Sequence, residues 1–169
     1  MKQFFLRAKA WQIFSLLLVT PMISVAAEIA GSMYVSMAIM LVYAVAAFAW
    51  IWSLGTFLCA LAPLELRLHL RFFYFAMVYP YGYASLVGWS FASSNDLPNA
   101  IVVPLHLLAM FCILYLLYFV AKGMAINELK RPVSFSDYAA NFLLLWFYPI
   151  GVWVIQPKIN ALATSAATV

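Results

Sequence analysis

Few residues of this chain could carry out acid–base or metal chemistry, and most of them lie far apart. Glu65 and His69 lie four residues apart in the segment LELRLHLR, where they could form an acid–base pair or supply two metal ligands. Two ligands are too few for a zinc site, and Arg67 and Arg71 beside them disfavour a cation. We therefore expect a short interfacial segment, with leucines toward lipid and charges toward water. His106 is expected to bond to a tyrosine rather than act as a catalyst.

The sequence motifs of common enzyme classes are missing. No nucleotide-binding glycine loop, GxSxG motif or metal-ligand cluster is present, and Cys59 and Cys112 form no CxxC pair. All five carboxylates lie at predicted helix boundaries, at Glu28, Glu65, Asp96, Glu128 and Asp137. An enzyme is therefore the third choice of function, with His106 and the Glu65/His69 pair as its candidates, and no cofactor or metal is expected.

The segment YPYGY at residues 79–83 is the first choice for a ligand site. A buried hydroxyl without a partner costs on the order of a few kcal/mol, so its tyrosines must contact other helices, water or a ligand. One interpretation is interhelical hydrogen bonding around a kink at Pro80, and the other is the wall of a polar cavity. The candidate ligand-binding or cavity-lining residues are Tyr79, Tyr81, Tyr83, His106 and Tyr148.

The composition indicates which elements position these residues. Of 169 residues, 68% are hydrophobic and 8% are charged, whereas soluble domains carry about 25% charged residues. Five uncharged runs separate the charges, and a spanning helix needs roughly 20 residues. The sequence predicts a single transmembrane domain over residues 1–169. We expect an all-α integral membrane protein, a compact bundle of five transmembrane helices at about 11–28, 33–61, 72–93, 100–121 and 138–156.

Local patterns refine these helices. Pro21, Pro80 and Pro149 are expected to kink them. Small residues at spacings of four should give the third helix a smooth packing face, at Ala84, Gly88 and Ala92. Ser134 and Asp137 have the spacing of an acidic capping box at the start of the last helix.

Two alternatives to five spans remain at the ends of the chain. The segment Asn141–Asn160 is long enough to cross a membrane, but Pro149 and Gly151 in its middle would also suit a re-entrant hairpin. Near the N-terminus, Val25-Ala26-Ala27 resembles a signal-peptide cleavage site. The alternative fold is therefore four helices plus a re-entrant or cleaved segment.

The basic residues predict the orientation. Eight of the nine fall on one predicted side, which we expect to be cytoplasmic together with the N-terminus: Lys2, Arg7, Lys9, Arg67, Arg71, Lys122, Lys130 and Arg131. Lys158 is the exception if the last segment spans. Because these cations lie at the ends of apolar runs, the net charge of +4 does not indicate nucleic-acid binding.

The segment LLLWFYPIGVWVIQPKIN, the linker ELRLHLR and a basic N-terminus ending in Trp11-Gln12 carry a resemblance. Together they resemble a group of small bacterial polytopic membrane proteins with a C-terminal LLWFxPIGVWxIQPxIN segment. The resemblance implies a bacterial cytoplasmic membrane. It implies no activity, and no functional residue is carried over from it.

The favoured function is that of a non-catalytic accessory, assembly or structural subunit. Its expected partners are the lipid bilayer and either other membrane subunits or further copies of the chain, because aromatic and small-residue helix faces are abundant and a catalytic constellation is missing. The alternative is a small carrier or channel for an apolar solute or lipid, with a cavity between the third and last predicted helices.

Overall fold

The computed structural model describes residues 2–92 and 97–167, with the side chains of 4–90 and 97–166. This part of the chain forms seven α-helices and no strand. They are α1 (Lys2–Arg7), α2 (Ala10–Ile29), α3 (Met33–Leu61), α4 (Leu70–Ala92), α5 (Asn99–Leu129), α6 (Phe135–Trp146) and α7 (Tyr148–Ala167). A short 3₁₀ turn, Leu64–Leu66, connects α3 to α4.

Three helices in this part of the chain are long and apolar enough to cross a membrane. They are α2, α3 and α5, with 20, 29 and 31 residues. The all-α class is confirmed, but five spanning helices are not. The helix predicted over 100–121 continues to Leu129, so Lys122 does not end the helix. The ammonium group of Lys122 donates to the Tyr118 hydroxyl at 3.0 Å within the helix.

Irregular helical backbone occurs near one of the predicted prolines, Pro21. In α2, a π-helical turn over Ser15–Val19 comes directly before Pro21, which has no N–H to continue the α-helical pattern. Helix α4 instead continues through Pro80 from Leu70 to Ala92. The predicted proline positions therefore lie inside helices. The backbone is π-helical near Pro21 and remains α-helical around Pro80.

The predicted capping box opens α6. The backbone N–H of Ser134 donates to the Asp137 carboxylate at 2.8 Å, and Arg131 forms an ion pair with the same carboxylate at 3.0 Å. These two contacts, the backbone donor first, hold the pKa of Asp137 below its ordinary value. The helix start therefore carries a negative charge where the helix dipole favours it.

The single helix predicted over 138–156 is wrong, because the segment folds back on itself. Lys158 donates to the Asn141 side-chain oxygen at 3.2 Å and pairs with Glu128 at 3.1 Å. In one continuous helix, residues 141 and 158 would lie about 25 Å apart. The chain leaves the helical conformation at Phe147, with φ −94° and ψ 54°, so α6 and α7 form a hairpin.

Pro149 and Gly151 explain why the turn forms at this point. Pro149 suits the first turn of α7, where its missing N–H would have no helical partner. Gly151 packs so closely on the turn that a Cβ there would overlap the carbonyl of Leu144. Only glycine allows α7 to start this close to α6.

A fully buried glutamine joins the hairpin to the N-terminus. The side-chain nitrogen of Gln156 donates to the Phe5 carbonyl at 2.7 Å, and its oxygen accepts from the Trp50 indole N–H at 3.1 Å. Helices α1, α3 and α7 therefore meet around one amide. The largest hydrophobic core surrounds it and includes Ile13, Leu54, Val120, Met124, Val152 and Ile155.

The same contacts bring the basic residues to one end of the molecule, here named the basic end. Asn127 donates to the Leu58 carbonyl at 2.9 Å, which joins the last turns of α3 and α5. Because α7 returns to Glu128, Lys158 joins the other eight cations at this end. In the sequence analysis Lys158 is the one basic residue on the opposite side. Because the hairpin folds back, Lys158 lies on the same side as the others.

We predict that Gly151→Ala destabilises the fold by about 1–3 kcal/mol, the cost of forcing a methyl group into a filled site. Gly82→Ala is the matched control, because a Cβ at Gly82 meets open space. It should be neutral or slightly stabilising, since alanine is the better helix former. Unfolding in detergent would measure both, and equal effects of the two substitutions would contradict the close turn.

Candidate functional site

A groove lies between α3 and α4. It encloses about 530 Å³ and is lined by Val45, Phe48, Ala49, Trp52, Ser53, Val78 and Tyr81. Small-molecule sites typically enclose about 300–1,000 Å³. The groove is therefore large enough for a small ligand or part of a larger one.

The walls of the groove are almost entirely apolar, and its two hydroxyl groups are already bonded. Ser53 donates to the Ala49 carbonyl at 2.6 Å, and Tyr81 donates to the Ala44 carbonyl at 2.6 Å. Each hydroxyl has only one proton to donate. A ligand in the groove would find mainly hydrocarbon walls and two hydroxyl groups whose protons are already donated, so the site suits an apolar group.

Aromatic side chains bridge the two helices across the groove. The rings of Phe48 and Tyr81 meet edge to face at 4.6 Å, and those of Trp52 and Tyr74 lie 5.0 Å apart. These pairs lie at different heights along α3, with the smaller Ala49 and Ser53 side chains close to them. Contacts between these aromatic rings thus hold α3 and α4 apart, and the small side chains of Ala49 and Ser53 leave the space between the two helices unfilled.

The other two tyrosines of YPYGY point to the opposite side of α4. Tyr79 donates to the Leu105 carbonyl at 3.2 Å, and the Tyr83 hydroxyl lies 3.2 Å from Nδ1 of His106. A helical spacing of four puts Tyr79 and Tyr83 on one face, and a spacing of two puts Tyr81 elsewhere. The structure therefore does not gather the predicted site residues into one cavity.

The side chain of Tyr148 lies at a third location, beside the π-helical turn of α2. Its hydroxyl donates to the Leu17 carbonyl at 3.1 Å and forms a hydrogen bond with the Tyr43 hydroxyl. Leu17 lies four residues before Pro21, so its carbonyl lacks the N–H donor that a regular α-helix would supply. Tyr148 replaces that donor, and it thereby joins α7 to α2 and α3.

The predicted small-residue face does not pack inside the chain. Ala84 is exposed, and a Cβ at Gly88 would have no atom within 4 Å among its described surroundings. The side chain of Ala92 lies outside the described residues. The surface of α4 around Ala84 and Gly88 is therefore open.

The linker residues considered for chemistry are spread over an exposed surface. Arg67 donates to the Ala60 carbonyl at 3.3 Å, and both Glu65 and His69 are exposed. Within the described residues, no three His, Cys, Asp or Glu side chains could hold a metal ion. This arrangement offers no enclosed site for acid–base chemistry.

Gln156 is the important residue that sequence reasoning missed. It is an uncharged polar residue inside an apolar run, and burying an unpaired amide costs free energy. The cost of burying an unpaired amide therefore predicts that this glutamine has specific hydrogen-bond partners. The partners themselves, Trp50 and the carbonyls of Phe5 and Ala8, lie too far away in sequence to be predicted.

No family model, curated protein or solved structure matches this chain. The geometry of the groove, the tyrosine contacts and the charge distribution therefore carry the functional argument. The groove and the open face of α4 are among the surfaces of the described residues that leave room for another molecule, together with a smaller groove lined in part by Tyr79 and Tyr83.

We predict that Tyr148→Phe destabilises the fold by about 1 kcal/mol, because Leu17 and Tyr43 lose their partner. In a Pro21→Ala background the loss should be smaller, since residue 21 regains an N–H for the Leu17 carbonyl. Unfolding of the four combinations in detergent would measure the coupling. Tyr34→Phe, at an exposed position, is the control. An equal loss in both backgrounds would disprove the assigned role of Tyr148.

Proposed function

We propose that this chain is a multi-pass integral protein of the bacterial cytoplasmic membrane, with its N-terminus in the cytoplasm. Charge asymmetry supports this orientation. Nine Lys and Arg residues and three carboxylates assigned to the basic end sum to +6, and the described carboxylate at the opposite end is Glu28. Asp96, which the sequence predicts on the side of Glu28, lies outside the described residues. An excess of Lys and Arg in short loops is typical of the cytoplasmic side.

In the proposed bilayer, α2, α3, α4 and α5 cross and the α6–α7 hairpin enters from the cytoplasmic side. Helix α4 runs beside α5, with Phe72 on Tyr115 at 4.5 Å near one end and Tyr83 beside His106 near the other. Helix α6 has 12 residues and is about 18 Å long, too short for a hydrocarbon core of about 30 Å. This is the arrangement of four helices plus a re-entrant segment.

We predict that reporters at the two termini give the same result. A reporter active only in the cytoplasm should be active at either end, and one inserted in the α4–α5 connection should be inactive. The physical reason is the fold-back that brings Lys158 to Glu128. Activity at the N-terminus alone would instead mean that the last segment crosses the membrane, and the hairpin would be rejected.

The function that the geometry supports best is that of a non-catalytic accessory or assembly subunit. The observation that carries it is the exposed histidine His106, bonded to Tyr83 on a largely apolar surface. Facing lipid, such a polar pair is costly, so it is expected to face protein. Ala84 and Gly88 on the same helix as Tyr83 leave room for a close helix approach.

A carrier of an apolar solute or lipid is the second candidate, and the groove between α3 and α4 favours it. The groove lies between the second and third predicted helices, not between the third and last. A channel for polar solutes has less support, because both hydroxyls in the groove are bonded to α3 carbonyls.

We predict that mild extraction of the tagged protein yields a stoichiometric companion, detected by native gel and mass spectrometry. Gly88→Leu should release it, because a leucine would fill the open face of α4. Ala38→Leu, at an exposed position of α3, is the matched control and should retain it. An isolated monomer in every extract would contradict the subunit role, and a homo-oligomer would make the companion a second copy of the chain.

A further inference from the structure

We propose that the groove between α3 and α4 holds one acyl chain of an anionic phospholipid whose phosphate lies at Arg71. The inference rests on the proposed membrane location and is independent of the subunit role. It assigns a specific lipid site to a surface that the fold leaves open.

The groove selects hydrocarbon. Its walls are side chains such as Val45, Phe48 and Val78, and the hydroxyls of Ser53 and Tyr81 donate to carbonyls of α3. A polar ligand would lose its water and would find few polar groups on these walls in exchange, which is unfavourable. An acyl chain needs no polar partner, and it exchanges contacts with the surrounding lipid for contacts with the aromatic walls. Hydrocarbon is therefore the chemistry that fits this groove.

Arg71 lies in register with the groove, on the side of the basic end. It precedes Val78 by seven residues, which is two helical turns, about 10 Å along α4 and close to the same face. Tyr74 lies between them on that face and contacts Trp52 in the groove wall. Because half of the hydrocarbon core is about 15 Å thick, a chain beside Val78 places its headgroup near Arg71.

The guanidinium of Arg71 is available for a phosphate. The residue is exposed, and the ion pairs of the described residues involve Arg131 with Asp137 and Lys158 with Glu128. Arginine binds phosphate through two parallel N–H donors. The basic end also carries a net charge of +6, by the count given above. Such a surface favours an anionic headgroup over a zwitterionic one.

Native mass spectrometry of the full chain, stripped of lipid in detergent, tests this assignment. Dioleoyl phosphatidylglycerol and dioleoyl phosphatidylcholine are added separately, and the fraction carrying one lipid is measured. We expect phosphatidylglycerol to bind about fivefold more tightly, as one well-placed cation implies. Arg71→Gln should abolish that preference, and Arg7→Gln, the same charge change on α1, should retain it.

A second variant tests the acyl chain separately from the headgroup. Ala49→Phe fills the groove and should weaken both lipids at least fivefold, with unchanged thermal unfolding as the check on folding. Phosphatidylglycerol brominated along its acyl chains should quench Trp52, and Trp52→Phe should remove that part of the quenching. Retained preference in Arg71→Gln, or unchanged quenching in Ala49→Phe, would overturn the proposal. Because the protein is purified alone, neither outcome depends on a companion subunit.

Discussion

The buried amide of Gln156 is the constraint on which the rest of the fold depends. An amide that is fully removed from solvent must find partners, and it finds them in Trp50 and in the carbonyls of Phe5 and Ala8, in and just after α1. To deliver Gln156 there, α7 must return toward the N-terminus. The turn at Gly151 and the pairing of Lys158 with Glu128 follow from that return. One side chain thus couples the hairpin, the N-terminal helix and the gathering of charge at one end.

Packing is uneven along the long helices, with a densely packed end and a more exposed one. The largest core lies around Gln156, whereas the first half of α3 and the first half of α5 are mostly exposed, at residues such as Tyr34 and Leu107. Between these regions, tyrosine hydroxyls join helices through backbone carbonyls: Tyr148 to α2 and Tyr81 to α3. The core is therefore concentrated toward the basic end, and the helices are more exposed toward the other end.

The sequence predicted what depends on local patterns. Helices α2 and α3, the irregular backbone near Pro21 and the capping box at Ser134 follow from hydropathy, proline and spacing. The direction of the last segment could not be read from Pro149 and Gly151, which suit either a kink or a turn. The distribution of basic residues did indicate this direction, since Lys158 would be the one cation on the opposite side if the last segment crossed the membrane. The α3–α4 groove was beyond prediction, because it depends on side chains that meet only after folding.

Side-chain size along α3 explains why the groove lies where it does. Near the basic end, Gly55 lets the ring of Phe73 lie against the α3 backbone, and a Cβ at Gly55 would overlap that ring. Farther along, Phe48 meets Tyr81 ring to ring at 4.6 Å. A ring against backbone allows a closer helix approach than a ring against another ring. The helices therefore approach closely at Gly55 and are held apart at Phe48, and small residues such as Ala49 cannot fill the wedge. The opening is thus a consequence of how the side chains of α3 and α4 pack.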